Sequence, residues 1–231
     1  MSNTIWVVAE HHNGEFESIT LELLGKAKQL GGSVQAVVLG SGVKDLAGKL
    51  GAYGAEKVYV ADHAELANYR AEVYGTLLAK LVEEHKPGLV LFGATSLGSD
   101  LASHTGAHLK APVASNASNL VAEGGGVKIV RPVYGGNAFA TLSAQGGSTV
   151  LVTVEAKSFE KAAEAGGSAE VVEVAVDPAV LSARVQIKEF VEAVKSGKIP
   201  LNEAEVVVAG GRGVGGADKF AIIEELASAL G

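Results

Sequence analysis

The first half of the chain alternates short apolar runs with amphipathic stretches. Apolar runs of strand length occupy residues 5–9, 34–39, 57–60 and 89–92. Residues 69–85 and 96–109 have the apolar spacing of helices, and a further helical stripe runs from Phe16 to Leu30. Strands without a polar face are typical of parallel sheets covered by helices on both sides. We therefore predict an α/β fold with a mostly parallel sheet.

After residue 112 the pattern changes to strands that are separated by glycine-rich turns. These strands are predicted at residues 113–121, 127–133, 138–143 and 150–154, with one more at residues 169–176. Because no helical stretch separates the first four of these strands, we expect those four to be antiparallel additions to the edge of the sheet. The N-terminal α/β domain is then predicted to span residues 1–176.

Residues 177–203 are polar and mixed in pattern. They contain one short predicted helix at residues 187–194, and Gly197 and Pro200 interrupt the pattern. Such a stretch is typical of a linker between domains. We expect proteases to cut the folded protein within it.

A second unit is predicted to begin after the linker. Residues 205–209 form a predicted strand, and residues 218–230 form a predicted helix with Phe220, Ile223, Leu226 and Leu230 on one face. We interpret residues 204–231 as the start of a second, Rossmann-like domain.

The loop between these two elements carries the candidate binding residues. It reads Gly211-Arg212-Gly213-Val214-Gly215-Gly216, which has G-x-G-x-x-G spacing. Glycines let a backbone approach a phosphate, and a following helix N-terminus offers free N–H groups. Arg212 adds a fixed cationic fork. A tight turn with purely steric glycines would look the same.

Three other clusters are candidate sites. The loop Gly93-Ala94-Thr95-Ser96-Leu97-Gly98 follows a strand and is either an anion pocket or a helix start capped by Thr95 or Ser96. His104 and His108 lie four residues apart on a predicted helix, and His11 and His12 follow the first strand. With no third ligand or nucleophile nearby, we interpret these histidines as ordinary surface residues.

Composition narrows the classes of function. Of the 231 residues, 48% are hydrophobic and 19% are charged, as in folded soluble proteins. A net charge of -7 without a basic cluster argues against a nucleic-acid partner. The lack of cysteine excludes disulfides, iron–sulfur ligation and thiol catalysis. With no visible signal, transit peptide or apolar run of ~20 residues, we expect a cytoplasmic protein without membrane insertion.

Two segments resemble the alpha subunit of electron transfer flavoproteins. Residues 131–141 read RPVYGGNAFAT, similar to the family's R-P-x-Y-x-G-N-A segment. Residues 206–230 have Gly-Gly-Arg-Gly after a valine-rich run, then a helix that ends in Leu-Ala-x-x-Leu. The placement of LFGATS at residues 91–96 also matches, so the resemblance covers essentially the whole chain.

The resemblance implies an FAD-containing electron carrier built as a heterodimer with a beta subunit. In the family, the N-terminal alpha domain packs against the beta subunit and the C-terminal alpha domain holds most of the flavin. Electrons pass from dehydrogenases, such as the acyl-CoA dehydrogenases of fatty acid β-oxidation, to a quinone-linked oxidoreductase. The arginine of Gly-Gly-Arg-Gly contacts the flavin, so Gly211, Arg212 and Gly213 are the expected cofactor-binding residues. The chain would be an electron carrier, not an enzyme, without catalytic residues or metal ligands.

Two features depart from the family pattern. Glu155 and Ala156 stand where the family usually has an arginine after the valine. The family's Gly-Ala-Ser-Arg and Gln-Thr-Gly segments do not follow Gly231. The chain is therefore expected to lack most of the flavin domain and not to retain FAD by itself.

Two further functions are compatible with the sequence. The N-terminal domain resembles the adenine-nucleotide-hydrolase type, and a free-standing adenine-nucleotide-binding protein similar to universal stress proteins would use the Gly93 loop. A nicotinamide dehydrogenase would use the Gly211 loop, but no ribose-binding acid follows it. ATP binding by the isolated chain would favour the first alternative, and flavin absorbance in a complex with a second subunit would favour the electron carrier.

Overall fold

The computed structural model describes residues 3–144, 149–191, 201, 204 and 206–230. Internal contacts divide the chain into two compact units, Met1–Lys188 and Glu189–Gly231. Among the described residues, no helix has both the length and the apolar character needed to cross a membrane.

The elements of the first unit follow one another in a regular order. In chain order they are β1 (Thr4–Val8), β2 (His11–His12), β3 (Glu15–Phe16), α1 (Ser18–Gln29), β4 (Ser33–Gly40), α2 (Lys44–Gly48), β5 (Lys57–Asp62), α3 (Ala71–His85), β6 (Leu89–Gly93), α4 (Ser96–Leu109), β7 (Val113–Ala117), β8 (Asn119–Glu123), β9 (Gly126–Val133), β10 (Ala138–Ser143), β11 (Val150–Val154) and β12 (Glu170–Glu173).

Seven of these strands form one parallel sheet. Its order is β12-β5-β4-β1-β6-β11-β7, and every neighbouring pair is parallel. The predicted α/β class with a mostly parallel sheet is therefore confirmed. Parallel strands bring all their carboxyl ends to one edge of the sheet, and that edge is where ligands bind in open α/β folds.

The sheet has a hydrophobic core on each face, as successive side chains of a strand point to opposite sides. In β1, Ile5 and Val7 pack with α1 and α2, whereas Trp6 and Val8 pack with α3 and α4. Trp6, the single tryptophan of the chain, is fully buried. The apolar stripe predicted for α3 lies in the second core.

The antiparallel strands form a sheet of their own instead of extending the parallel one. The order β10-β9-β8 makes a separate three-stranded sheet. The stretch predicted as one strand at residues 113–121 is split at Ser118, so that β7 pairs in parallel with β11. The expectation that β7 and β11 are antiparallel is wrong. All five residues of β11 are buried, and a strand with two apolar faces belongs inside a covered sheet.

The second unit contains one helix and two short turns in its described part. Residues 206–209 do not form the predicted strand; no strand of the described chain pairs with them, and an isolated strand is unstable. Arg212–Val214 and Ala217–Lys219 are 3₁₀ turns, and α5 spans Ala221–Leu230. The helix predicted at residues 187–194 is not formed at 187–191, and its remainder lies outside the described residues.

The first unit ends in a strap, residues 177–184, that lies on α3. Val180 of the strap is buried in the second core. The Arg184 amide donates to Glu72 Oε2 at 2.7 Å, and Arg184 Nε donates to Oε1 at 2.6 Å. These bonds lower the pKa of Glu72. The sequence assigns this stretch to the linker, and the domain boundaries stay a prediction.

We predict that Glu72→Gln exposes the strap to trypsin. Trypsin must seat the Arg184 side chain, which Glu72 holds in the native protein, whereas Lys188 has no such partner among the described residues. An exposed ion pair has a modest effect, so cleavage after Arg184 should accelerate about two- to fivefold, with cleavage after Lys188 unchanged. Timed digestion with mass spectrometry measures both rates. The control is Glu173→Gln, which removes the Lys44 pair elsewhere; equal acceleration at Arg184 in both variants would contradict a specific role for Glu72.

Candidate functional site

The loop at residues 211–216 presents its backbone openly. A Cβ atom placed on Gly211 or Gly213 would meet no atom within 4 Å. Gly215 has φ +91°, a left-handed conformation that favours glycine. The amides of Val214 and Gly215 close the turn by donating to Gly211 and Arg212 carbonyls. The amides of Arg212 and Gly213 take no part in these turn bonds, so they can meet an anionic ligand.

Arg212 is the cationic group within this loop, and Lys219 Nζ lies 3.7 Å from the position of a Cβ on Gly215. The Arg212 side chain is exposed, and within the described residues it forms no ion pair. A free guanidinium carries five donors in a planar fork that suits phosphate oxygens. Open backbone amides beside this fork fit a dinucleotide pyrophosphate. The predicted residues Gly211, Arg212 and Gly213 are therefore contiguous and accessible, and their binding role stays a prediction.

The loop differs from the dinucleotide fingerprint in the element on its C-terminal side. The sequence predicts a helix that opens directly from the loop at residue 218, but α5 begins at Ala221, after the Ala217–Lys219 turn. Asp218 Oδ1 lies 2.5 Å from the position of a Cβ on Gly216. This carboxylate would repel an anion at the far side of the loop. The amides near Arg212, not the start of α5, are thus the better anion donors.

The signature segment of residues 131–138 forms the hairpin that joins β9 to β10. Tyr134, Gly135 and Gly136 all have positive φ, between 53° and 88°. Asn137 Nδ2 donates to the Tyr134 carbonyl at 2.8 Å and closes the turn. Such a backbone favours glycine and asparagine. Turn geometry therefore explains Gly135, Gly136 and Asn137, and the turn leaves Tyr134 85% exposed at the tip.

The Gly93 loop starts α4 with a side-chain cap. Thr95 Oγ1 accepts from the Gly98 amide at 2.9 Å, which makes Thr95 the N-cap, one of the two interpretations that the sequence allows. The same hydroxyl lies 3.0 and 2.8 Å from the two oxygens of Glu10, to which it donates. Glu10 follows β1, and sequence reasoning missed it. Its carboxylate lies at the sheet edge against the first turn of α4.

The surroundings of Glu10 hold it in place and penalise its charge. Thr20 Oγ1 accepts from the Glu10 amide at 2.8 Å and donates to the Glu10 carbonyl at 3.0 Å. Burial raises the pKa of Glu10, the Thr95 hydrogen bond partly offsets this, and the nearby Glu17 carboxylate raises it further. Because few donors stabilise the carboxylate here, the charged form of Glu10 is less favourable than the charged form of a glutamate in water.

A second carboxylate, Asp62, lies at the same edge as the last residue of β5. Asp62 accepts from the amides of Gly42 and Val43 at 2.8 Å and of Lys44 at 3.2 Å. Burial alone would raise its pKa, but these three amides and the Lys44 ammonium together lower the pKa of Asp62. Asp62 therefore uses the free donors at the start of α2.

The histidines do not form a site within the described residues. The His104 and His108 rings are 5.7 Å apart, and His104 packs against Gly75. His11 Nε2 lies 3.0 Å from the Leu39 carbonyl. No group of three possible metal ligands occurs in the part of the chain that the structure describes. His12 and His108 are exposed and His11 and His104 are half-buried, and the interpretation of all four as ordinary surface residues stays a prediction.

We predict that the stability of Glu10→Gln, relative to that of the native protein, increases as pH rises. Because the pKa of Glu10 is raised in the folded state, the folded protein binds its proton more tightly than the unfolded chain does. Native stability therefore falls as pH rises from the unfolded pKa to the folded pKa and is level above it. Glutamine does not titrate. Urea unfolding between about pH 4 and about pH 8, followed by Trp6 fluorescence, measures the difference; a pH-independent difference would contradict the prediction.

Comparisons with known proteins bear on this arrangement. The family model described as "Electron transfer flavoprotein domain" matches residues 5–179. A protein named "Protein FixB" from Clostridium saccharobutylicum is 35% identical, over 98% of this chain and 69% of the relative. Proteins named "Electron transfer flavoprotein subunit alpha" are 34% identical in Thermoanaerobacterium thermosaccharolyticum and 37% identical in Syntrophomonas wolfei, over 98% of this chain and 70% of each relative. The chain therefore belongs to the electron transfer flavoprotein family, as a subunit of the alpha type.

Proposed function

We propose that this chain is the alpha-type part of a heterodimeric electron carrier that works through bound FAD. Its similarity to alpha subunits extends over 98% of the chain, beyond the residues that the family model matches. That extra region contains the Arg212 loop. The observation that carries the proposal is an exposed loop of amides and one unpaired guanidinium within the described part of an alpha-type chain.

The residues Gly211, Arg212 and Gly213 would hold the phosphate groups of the FAD. The guanidinium supplies charge-assisted hydrogen bonds, and the two glycines let the backbone approach the ligand. The flavin, when bound, accepts and releases electrons, which this chain's own side chains do not do. The role of the loop is thus to bind and orient the cofactor.

We further propose that the beta subunit packs on the outer face of the three-stranded sheet. Leu120 and Ile129 point from this sheet into the core of the first unit. The opposite face therefore carries Val121, Pro132 and Phe139. Val121 is 45% exposed and Phe139 is 65% exposed. An exposed aromatic and aliphatic face of this kind is typical of a subunit interface.

The electron donors and the acceptor are proposed from the family resemblance. Dehydrogenases, such as acyl-CoA dehydrogenases, would reduce the flavin, and a quinone-linked oxidoreductase would receive the electrons. In this scheme the chain is a carrier subunit, without a catalytic residue of its own. A complex with the beta subunit that carries no flavin would count against the proposal.

We predict that Arg212→Ala weakens FAD binding in the flavin-loaded complex. Losing a charge-assisted hydrogen bond costs about 1.5–3 kcal/mol, or roughly ten- to a hundredfold in affinity. The fold should be unchanged, as the loop closes through backbone bonds. Fluorescence titration of the stripped complex with FAD measures the affinity. The control is Lys188→Ala, an exposed cation outside this loop; unchanged affinity in Arg212→Ala would remove Arg212 from the site.

We predict that Phe139→Asp prevents stable pairing with the beta subunit. A charge introduced on this face must be desolvated on binding, and loss of an aromatic anchor weakens affinity by roughly thirtyfold or more. Far-ultraviolet circular dichroism should be unchanged because Phe139 is mostly exposed. Co-purification and biosensor titration measure the pairing. Val185→Asp, at a 62% exposed site away from this sheet, is the control; equal weakening by both variants would contradict the proposed surface.

A further inference from the structure

We infer that the Glu10 carboxylate is an internal anion that fills the ligand position of the parallel sheet and excludes nucleotide phosphates from it. The inference concerns Met1–Lys188 alone and does not depend on where the flavin binds. It bears on the adenine-nucleotide-binding alternative, which requires the Gly93 loop to accept phosphate.

Glu10 lies at the topological switch point of the sheet. From β1 the chain continues to β4 and β5 on one side, whereas β6, β11 and β7 lie on the other side. Ligands of open α/β sheets bind at the carboxyl ends of the strands where the order reverses in this way. Here that place is the gap between the ends of β1 and β6. Glu10 follows β1, and the Gly93 loop follows β6.

One of the donors that a phosphate could use, the Gly98 amide, is already engaged. The Gly98 amide in the first turn of α4 donates to Thr95 Oγ1 at 2.9 Å, and this hydroxyl donates in turn to Glu10 at 3.0 and 2.8 Å. A helix N-terminus attracts anions through such amides. Through the Thr95 hydroxyl, the Gly98 amide therefore interacts with the carboxylate of Glu10, which belongs to the chain itself.

The space beside the loop is filled as well. Glu10 Oε1 lies 2.7 Å from the position of a Cβ on Gly93 and 2.8 Å from that on Gly98. Ile19 Cγ1 lies 3.0 Å from the Gly93 position. Glycine at position 93 therefore makes room for the Glu10 carboxylate, whereas glycine at position 98 makes room first for the Gly93 carbonyl oxygen and then for Glu10. A phosphate would have to displace it and would be repelled by Glu10 and by Glu17.

The neighbouring turn shows the same arrangement independently. The amides of Gly42, Val43 and Lys44, which follow β4, all donate to Asp62. Thus two strands that pair with β1 are each followed by a turn whose donors serve a carboxylate of the chain itself.

The test compares phosphate binding by the native chain and by Glu10→Ala. Inorganic phosphate and AMP are the probes, at constant ionic strength, and thermal unfolding is followed by Trp6 fluorescence. The native midpoint should not respond. In Glu10→Ala, phosphate at about ten times its Kd would raise the folding constant about elevenfold, which is roughly 1.4 kcal/mol, or about 3–6 °C for a chain of this size. Glu17→Gln, which removes a nearby charge but not the occupant, should behave like the native chain.

Two results would overturn the inference. One is saturable, one-to-one binding of phosphate or AMP by the native chain in equilibrium dialysis. The other is a folded Glu10→Ala whose midpoint is insensitive to both probes. Should Glu10→Ala fail to fold, Glu10→Ser takes its place, and the dialysis of the native chain decides the question by itself.

Discussion

The structure depends on one constraint: the inner strands of the parallel sheet are apolar on both sides, so both faces of the sheet must be covered. On one face α3 and α4 supply this cover, together with Val180 of the strap. On the other face α1 and α2 cover only part of the sheet. Leu120 and Ile129 of the three-stranded sheet join the same core as β7 and β11. The small sheet is therefore a layer of the fold, with one face fixed inward and the other left to solvent or a partner.

This constraint explains which parts of the fold could be predicted from sequence. The spacing of Leu77, Leu78 and Leu81 predicts α3, because one helix covers one face. The parallel pairing of β7 and β11 could not be predicted from the turn residues, because the glycine-rich stretch between these two strands forms the separate three-stranded sheet. The signal that was available is the run Val150–Val154, which lacks a polar face and so indicates a central parallel strand.

The candidate site shows a similar limit. The Gly211 loop is found from sequence because its residues are consecutive and its glycine spacing is characteristic. Glu10 and Thr95 are 85 positions apart and meet only through the neighbouring placement of β1 and β6. An acidic residue directly after a buried strand is the one local signal of such a contact. Asp62 carries the same signal, at the end of β5.

Two glycine-rich loops of this chain therefore look alike in sequence and differ in the partners that their backbone amides have. In the Gly93 loop, the Gly98 amide donates to Thr95, whose hydroxyl donates to Glu10, so a carboxylate of the chain itself lies against the start of α4. The Gly211 loop has exposed amides beside Arg212, and Asp218 is the only acidic residue in its immediate sequence. The glycine pattern does not distinguish the two loops, whereas the position of the nearest carboxylate does. For α/β proteins generally, an anion site is defined by the donors that the chain leaves unused, and a spacing motif identifies a site only after those donors have been traced to their partners.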